Sequence, residues 1–164
     1  MNWRTDALPY ANACHAAEVE VDIETGEVRI LNYVALQDSG VLINPMLVDG
    51  QVQGGIAHGI GNALYEWMGY DDAAQPVPTT FADYLLPTAT EIPNMKTLYT
   101  QTPSPLNPLG AKGAGEVSTI PTAAAVINAI EDALSTFGVR IERTPIMPHE
   151  IMELVSNVRV ERQQ

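Results

Sequence analysis

The sequence has one cysteine, few basic residues and no long apolar run, and each shortage excludes a class of protein. Cys14 stands alone, so an internal disulfide framework is excluded and a reducing compartment is expected. Eight Lys and Arg against 20 Asp and Glu give a net charge of −12, which argues against binding nucleic acid or an anionic membrane surface. No stretch of about 18 apolar residues is present, and residues 1–6 lack the apolar character of a signal peptide. We therefore expect a cytoplasmic protein with neither nucleic acid nor membrane as a partner.

Familiar catalytic and metal-binding motifs are also lacking. His15, His58 and His149 are scattered, and none has a second ligand at the spacing of a metal site. There is no Gly-x-Ser-x-Gly elbow, and Asp71-Asp72 lacks the further oxygen ligands of a calcium loop. A serine hydrolase, a zinc enzyme and a calcium module are therefore poor interpretations, and no side chain is assigned as a metal ligand.

The periodicity of apolar residues predicts a single α+β domain over residues 1–164, with a mixed β-sheet, an N-terminal β-hairpin and packed helices. Val19, Val21 and Ile23 alternate with acidic residues, which predicts a hairpin over residues 15–37 with its turn at 24–27. The other predicted elements are a helix beginning near Met46, a strand from Met95 to Thr100, a helix from Thr119 to Thr136, a strand from Val139 to Glu142 and a helix from Pro148 to Val155.

A glycine-rich loop over residues 105–121 carries the most information about chemistry. Gly110, Gly113 and Gly115 lie within six residues, together with Lys112 and Glu116. Glycine lets another group approach the main chain closely, and a carboxylate beside such amides is a candidate catalytic base. The spacing matches neither the dinucleotide fingerprint nor the phosphate loop, however. By composition alone, an ordinary turn with a solvated glutamate is the favoured reading.

The predicted helix that begins near Met46 contains five glycines between residues 50 and 61. Each glycine costs up to about 1 kcal/mol relative to alanine in a helix interior, so another reason for their presence is needed. Close packing is the interpretation for Gly54 to Gly61. For Gly50 and Gln51 a second reading stays open, in which the start of the helix approaches a ligand. A glutamine amide both donates and accepts, which suits a heteroatom-rich ligand such as a pterin.

Several segments in the same order resemble one family. Residues 48–61, Val-Asp-Gly-Gln-Val-Gln-Gly-Gly-Ile-Ala-His-Gly-Ile-Gly, are similar to the cofactor-contacting segment in the large subunit of molybdenum hydroxylases. That family includes xanthine dehydrogenase, aldehyde oxidase and aerobic carbon monoxide dehydrogenase. Residues 107–116, Asn-Pro-Leu-Gly-Ala-Lys-Gly-Ala-Gly-Glu, resemble the stretch that bears the family's catalytic glutamate. The hairpin and residues 43–45 and 83–87 agree with it, so the resemblance covers nearly the whole chain and favours the catalytic reading of Glu116.

The resemblance implies that the chain is the C-terminal part of a molybdopterin-binding domain. Glu116 would be the base at the molybdenum centre of an oxidoreductase that hydroxylates an aldehyde or an N-heterocycle, or oxidises a related small substrate, with water as the oxygen source. The cofactor would be a molybdopterin with molybdenum, in bacterial members often in its cytosine dinucleotide form. The residues implied in binding it are Gly50, Gln51, Lys112, Gly113, Ala114 and Gly115.

The resemblance also implies partners, because the family's molybdenum subunit is several-fold longer than 164 residues. They would be the remainder of the molybdopterin subunit, an FAD subunit and an iron–sulfur subunit. This chain has neither a cysteine motif for a cluster nor a flavin-binding segment, so FAD and [2Fe–2S] clusters are expected on the partner chains only. The isolated chain is expected to be inactive and prone to self-association. The alternative is a non-catalytic truncated remnant or assembly module that retains the fold.

Overall fold

The computed structural model describes residues 7–161 and contains three strands and three α-helices within them. The strands are β1 (Asn12–Val21), β2 (Val28–Asp38) and β3 (Met95–Thr100). The helices are α1 (Pro45–Leu64), α2 (Thr119–Ala133) and α3 (Pro148–Glu161), and a short 3₁₀ turn, Ser135–Phe137, follows α2. No helix in the described part of the chain is both long enough and apolar enough to cross a membrane.

The predicted hairpin is confirmed, and its strands extend three residues before and one residue beyond the predicted range. β1 and β2 pair antiparallel, and the burial of β1 alternates residue by residue, as a half-buried strand requires. The turn is held by the Asp22 carboxylate, which accepts hydrogen bonds from the amides of Glu24 and Thr25. Gly26 has a φ of 73° and packs against the backbone of Pro148, where a side chain has no room.

The mixed sheet is also confirmed, since β3 pairs parallel with β2 on the side away from β1. A parallel pair needs a long crossover, and α1 together with the irregular segment 65–94 supplies it. The pairing places Tyr33 opposite Met95 and Asp38 opposite Thr100. The ends of β2 and β3 therefore lie side by side, and the glycine-rich loop starts from this edge.

Helices α1 and α2 pack on one face of the sheet and bury the core between them. The buried apolar residues are Tyr33, Ala35, Val52, Ile56, Ile60, Ala63, Leu64, Val126, Ile127, Ile130, Leu134, Val139, Ile146, Ile151 and Val155. The close approach predicted for the α1 glycines occurs at Gly55 and Gly59. A methyl group on Gly59 would lie 2.8 Å from Cγ2 of Thr122. For Gly54 the prediction is wrong, because a methyl group there would meet open space.

The C-terminal third departs from the sequence prediction in three places. The strand predicted from Val139 to Glu142 is absent, and the Ile141 amide donates to the Glu131 carboxylate instead of to a neighbouring strand. Helix α2 ends at Ala133 and gives way to the 3₁₀ turn, which Gly138 closes with a φ of 69°. Helix α3 is longer than predicted and extends through residue 161.

Candidate functional site

The glycine-rich loop lies across the turn that follows β2. Gly40 and Ala111 form an isolated antiparallel bridge, and the Gly110 carbonyl accepts hydrogen bonds at 3.0 Å from the amides of Val41 and Ser104. Gly40 and Gly110 both have positive φ, near 66°. Their backbones approach so closely that a side chain on Gly40 would collide with the Gly110 carbonyl. Gly40 and Gly110 are therefore needed for the close contact between the loop and the turn after β2.

Asn107 closes the first half of the loop into a ring. Its Nδ2 donates to the Ala111 carbonyl at 2.8 Å, and its Oδ1 accepts from the Ala111 amide at 3.1 Å. An asparagine side chain that bonds backbone groups four residues ahead imitates a short piece of strand pairing. The loop consequently reaches Lys112 in a fixed direction.

Lys112 begins the next part of the loop and forms a buried ion pair with Asp38. Its Nζ lies 3.2 Å from Oδ2 of Asp38, and each side chain is only 11% exposed. Oδ1 of the same carboxylate accepts from the amides of Gly40 at 2.8 Å and Thr102 at 3.1 Å. Burial by itself would raise the pKa of Asp38, but the hydrogen bonds from Thr102, Gly40 and Lys112 outweigh it and hold the pKa well below its usual range.

Ser118 ends the loop at the start of α2 and is hydrogen-bonded to Gln37, the residue before Asp38 in β2. Its hydroxyl donates to Oε1 of Gln37 at 2.6 Å, and Nε2 of Gln37 donates to the Ser39 hydroxyl at 2.6 Å. Gln37 and Ser118 are completely buried. Because the hydroxyl is used in this way, Ser118 makes no side-chain capping bond to α2, although it stands at the N-cap position.

Between these two anchors, several polar groups of residues 113–116 have no partner among the described residues. No described residue accepts a hydrogen bond from the amides of Gly113, Ala114 or Gly115. Glu116 is exposed, and its carboxylate meets no donor within residues 7–161. A methyl group on Gly113 would touch nothing within 4 Å. Three free amides and a free carboxylate are therefore displayed on one short segment.

The structure brings Gln51 to this segment. Oε1 of Gln51 lies 3.9 Å from the point where a methyl group would stand on Gly115, and it is the nearest atom outside Gly115 and its two chain neighbours. Gly50 and Gln51 are both exposed in the first turns of α1. The two predicted groups of site residues, Gly50-Gln51 and residues 112–116, are thus adjacent on the surface, although they are about 60 residues apart in sequence.

The first turns of α1 are held against β3 by Asp49, which the sequence did not indicate. Its Oδ1 accepts from the hydroxyls of Thr97 and Tyr99, each at 2.7 Å, and Oδ2 accepts from Nε2 of Gln53 at 2.7 Å. The Thr97, Tyr99 and Gln53 hydrogen bonds lower the pKa of Asp49. Asn44 caps the helix by accepting from the Leu47 amide at 3.2 Å. Gln51 consequently stands on a helix end with several fixed attachments.

A second buried polar group lies beneath the start of α2. Nδ1 of His15 is 2.9 Å from the Tyr33 hydroxyl, which donates to Thr122, whose own hydroxyl donates to the Ser118 carbonyl at 2.6 Å. Burial lowers the pKa of His15 and raises the pKa of Tyr33 to about 12. The strand alternation places His15 on the inner face, but Thr122 is 107 residues away, so no local pattern could predict this contact.

The other candidates in the described part of the chain offer less. His58 and His149 are exposed, and no three His, Cys, Asp or Glu side chains among residues 7–161 are grouped so as to hold a metal ion. A cleft of about 600 Å³ lies between residues 140–146 and α3, away in sequence from the glycine loop. Its arginines, Arg140 and Arg143, are already ion-paired within the chain. We therefore take residues 112–116 with Gly50 and Gln51 as the candidate site.

Known proteins resemble this chain in sequence and in fold. A family described as molybdopterin cofactor-binding domain matches residues 3–93. The large subunit of nicotine 6-hydroxylase from Paenarthrobacter nicotinovorans is 38% identical over 156 residues, which are 95% of this chain and 19% of that protein. The carbon monoxide dehydrogenase large chain of Hydrogenophaga pseudoflava is 40% identical over 79% of this chain and 16% of its own length.

Among solved structures, quinoline 2-oxidoreductase from Pseudomonas putida 86 is similar with a TM-score of 0.86 and 46% identity, over 89% of this chain and 19% of that one. This chain therefore spans about a fifth of the length of the relatives it matches. The family match ends at residue 93, before the glycine loop. The alignment with the nicotine hydroxylase covers 95% of this chain, which is too much to leave out the whole loop.

Proposed function

Because this chain belongs to the molybdopterin cofactor-binding domains of the molybdenum hydroxylase family, we propose that its glycine loop and the start of α1 form one wall of a molybdopterin site. The observation that carries this proposal is that Gln51 lies beside Gly115, within a segment that has free amides at residues 113–115 and a free carboxylate at Glu116. The proposed binding residues are Gly50, Gln51, Gly113, Ala114 and Gly115. Lys112, the sixth residue that the resemblance implies, has its ammonium group paired with Asp38 instead.

The groups on this wall fit a pterin. A pterin ring and its phosphate present acceptors that the amides of residues 113–115 can satisfy, and donors and acceptors that the Gln51 amide can pair. These amides have no acceptor among the described residues, so an external group would complete their hydrogen bonding. The cytosine dinucleotide form is the proposed cofactor. When bound, molybdenum would supply two-electron oxidation chemistry with water as the oxygen source.

Glu116 is the proposed general base. Its carboxylate is exposed, has no donor within the described residues and follows Gly115 directly. It would accept the proton that water gives up when water is the oxygen source, a role that needs a carboxylate within hydrogen-bond reach of the reacting oxygen. The α2 backbone fixes its position, since the Thr119 amide donates to the Glu116 carbonyl at 3.0 Å.

The substrate class that the relatives' names support is an N-heterocycle. Nicotine and quinoline, which appear in two of those names, both contain a pyridine ring with electron-poor carbons. An aldehyde stays the second proposed class, because aldehyde oxidoreductases are also among the relatives. Residues that select between them are expected on the rest of the subunit, because this chain matches only about a fifth of each relative.

The remainder of the molybdopterin subunit is the first proposed partner, and the outer face of the sheet is the surface that supports it. Cys14, Leu36 and Leu98 lie opposite one another on the three strands, on the face that carries no helix. Leu36 is 37% exposed and Leu98 is 41% exposed, so the centre of the face is apolar and uncovered. Without that partner the same face would promote self-association of the chain.

An FAD subunit and an iron–sulfur subunit with [2Fe–2S] clusters are the other proposed partners, because electrons must leave the site. The relatives' names support multi-subunit assemblies, since they include a large chain and a subunit gamma of a complex. The single free cysteine fits a cytoplasmic location of the assembly. Taken alone, the chain would be inactive. The competing proposal is a non-catalytic truncated remnant or assembly module that retains the fold.

Co-expression of the chain with its neighbouring genes, followed by molybdenum and pterin analysis of the purified complex, tests the proposal. We expect bound molybdopterin in the complex and its loss in the variant Gln51→Ala. Gln53→Ala is the matched control, because this glutamine belongs to the same helix and bonds Asp49 instead. A complex that contains the rest of the subunit but no cofactor would contradict the proposal and favour the remnant.

A further inference from the structure

The last two residues of β2 hold both ends of the segment that bears Glu116. Successive strand residues normally point to opposite faces, yet Gln37 and Asp38 are both buried, at 0% and 8% exposure. They can be buried together because the strand ends between the glycine loop on one side and the start of α2 on the other. Asp38 reaches Lys112, and Gln37 reaches Ser118.

At the Lys112 end, the contact is an ion pair between the lysine ammonium group and the Asp38 carboxylate. Lys112 Nζ points to Asp38, its side chain is 11% exposed, and its amide donates to the Ser39 carbonyl at 2.8 Å. The Asp38 carboxylate has further donors in Gly40 and Thr102, which leaves it fully paired. A buried charge that lost such a counter-charge would be strongly unfavourable, so the pair fixes the place of residue 112.

The contact at the Ser118 end is neutral and completely buried. The Ser118 hydroxyl donates to Gln37, and Gln37 donates to Ser39, so the amide is used on both sides. Both distances are 2.6 Å. The intervening residues 113–117 make no described hydrogen bond through their side chains. Apart from the Thr119 amide, which donates to the Glu116 carbonyl, these two ends hold them in place.

We propose that Asp38 and Gln37 are positioning residues that clamp the segment 113–117 at Lys112 and Ser118, and that Lys112 serves the site through this clamp rather than by contacting the cofactor. The purpose of the clamp, to aim Glu116, rests on the proposed function. Its existence does not, and the two can be tested separately.

A protease that cleaves after lysine tests the clamp in the full chain. The chain has two lysines, Lys112 and Lys96, and Lys96 lies in β3, where cleavage requires the sheet to open. Asp38→Asn removes the counter-charge while its amide oxygen still accepts from Gly40. We expect cleavage after Lys112 to accelerate about tenfold or more, with cleavage after Lys96 unchanged. An unchanged rate after Lys112 in this variant would overturn the clamp.

The role of Lys112 is tested in the complex with the rest of the subunit. We expect Lys112→Met to keep its molybdenum content and to lower kcat, and the double variant with Asp38→Asn to be no worse than the poorer single variant. Loss of molybdenum in Lys112→Met, whichever residue stands at position 38, would show direct cofactor contact and overturn the inference. If the wild-type complex binds no molybdenum, the proposed function fails, while the proteolysis result still decides the clamp.

Discussion

Replacing Gly59 by alanine is expected to destabilise the chain, whereas the same change at Gly54 is expected to stabilise it. Both residues are in the interior of α1. A methyl group on Gly54 would meet open space. On Gly59 it would stand 2.8 Å from Cγ2 of Thr122 and 3.1 Å from the Thr119 carbonyl oxygen, both in the first turn of α2. Carbon atoms in contact normally stay about 3.5 to 4.0 Å apart, so α1 and α2 would have to separate.

The expected magnitudes follow from two opposing effects. Alanine gains about 0.5 to 1 kcal/mol over glycine in a helix interior, and this gain is common to both variants. Overpacking a close helix contact costs about 1 to 3 kcal/mol, and this cost applies to Gly59 alone. The free energy of unfolding should therefore rise by about 0.5 to 1 kcal/mol in Gly54→Ala. It should be lower by about 1 to 3 kcal/mol in Gly59→Ala than in Gly54→Ala.

Urea unfolding of the full chain, followed by far-ultraviolet circular dichroism, measures both values. The difference between the two variants isolates the packing cost, because helix propensity cancels. Equal stability of Gly59→Ala and Gly54→Ala would refute the reasoning that α1 and α2 are in closest contact at Gly59. That contact matters for the site, because Thr119 and Thr122 begin the helix that follows Glu116.

Three further outcomes are expected. Burial lowers the pKa of His15 below its ordinary 6.5, so the unfolded chain binds a proton at a higher pH than the folded chain does. The free energy of unfolding should therefore fall as the pH drops below 6.5. Urea titrations on either side of that pH should show this slope in the wild-type chain, and His15→Gln should lose it. Ile60→Ala should lower the free energy of unfolding by about 2 to 5 kcal/mol in the same assay, because Ile60 is fully buried, and a loss under about 1 kcal/mol would contradict its place in the core. Leu36→Ser should reduce self-association in sedimentation experiments, whereas Glu20→Ser, at the acidic end of β1, should not.

Local patterns were sufficient to predict the hairpin and the third strand. The period-two alternation at Val19, Val21 and Ile23 determines which face of β1 is buried, and Gly26 supplies the positive φ of the turn. The same rule fails at residues 139–142, where Val139 is buried and Ile141 half-buried with the spacing of a strand. The Ile141 amide donates there to the Glu131 carboxylate and not to a neighbouring strand.

The site was predictable only where a motif or the family resemblance pointed to it. Gly50-Gln51 and Glu116 were singled out, and the structure places the two groups side by side. The contacts that hold them in place were missed, because Asp38 and Lys112 are 74 residues apart and Gln37 and Ser118 are 81 apart. Contacts over such separations depend on how β2, the loop and α2 pack, which no local pattern shows.

Turnover and molybdenum content of the reconstituted complex carrying Glu116→Gln test most directly whether the glycine loop is a wall of the active site. The amide keeps the shape of the side chain and removes its capacity as a base, and general base catalysis contributes about 10² to 10⁴ in rate. We predict a loss of kcat in this range with molybdenum content unchanged, while Glu24→Gln at the hairpin turn behaves as wild type. Near-normal turnover of Glu116→Gln with the cofactor bound would contradict the role assigned to Glu116.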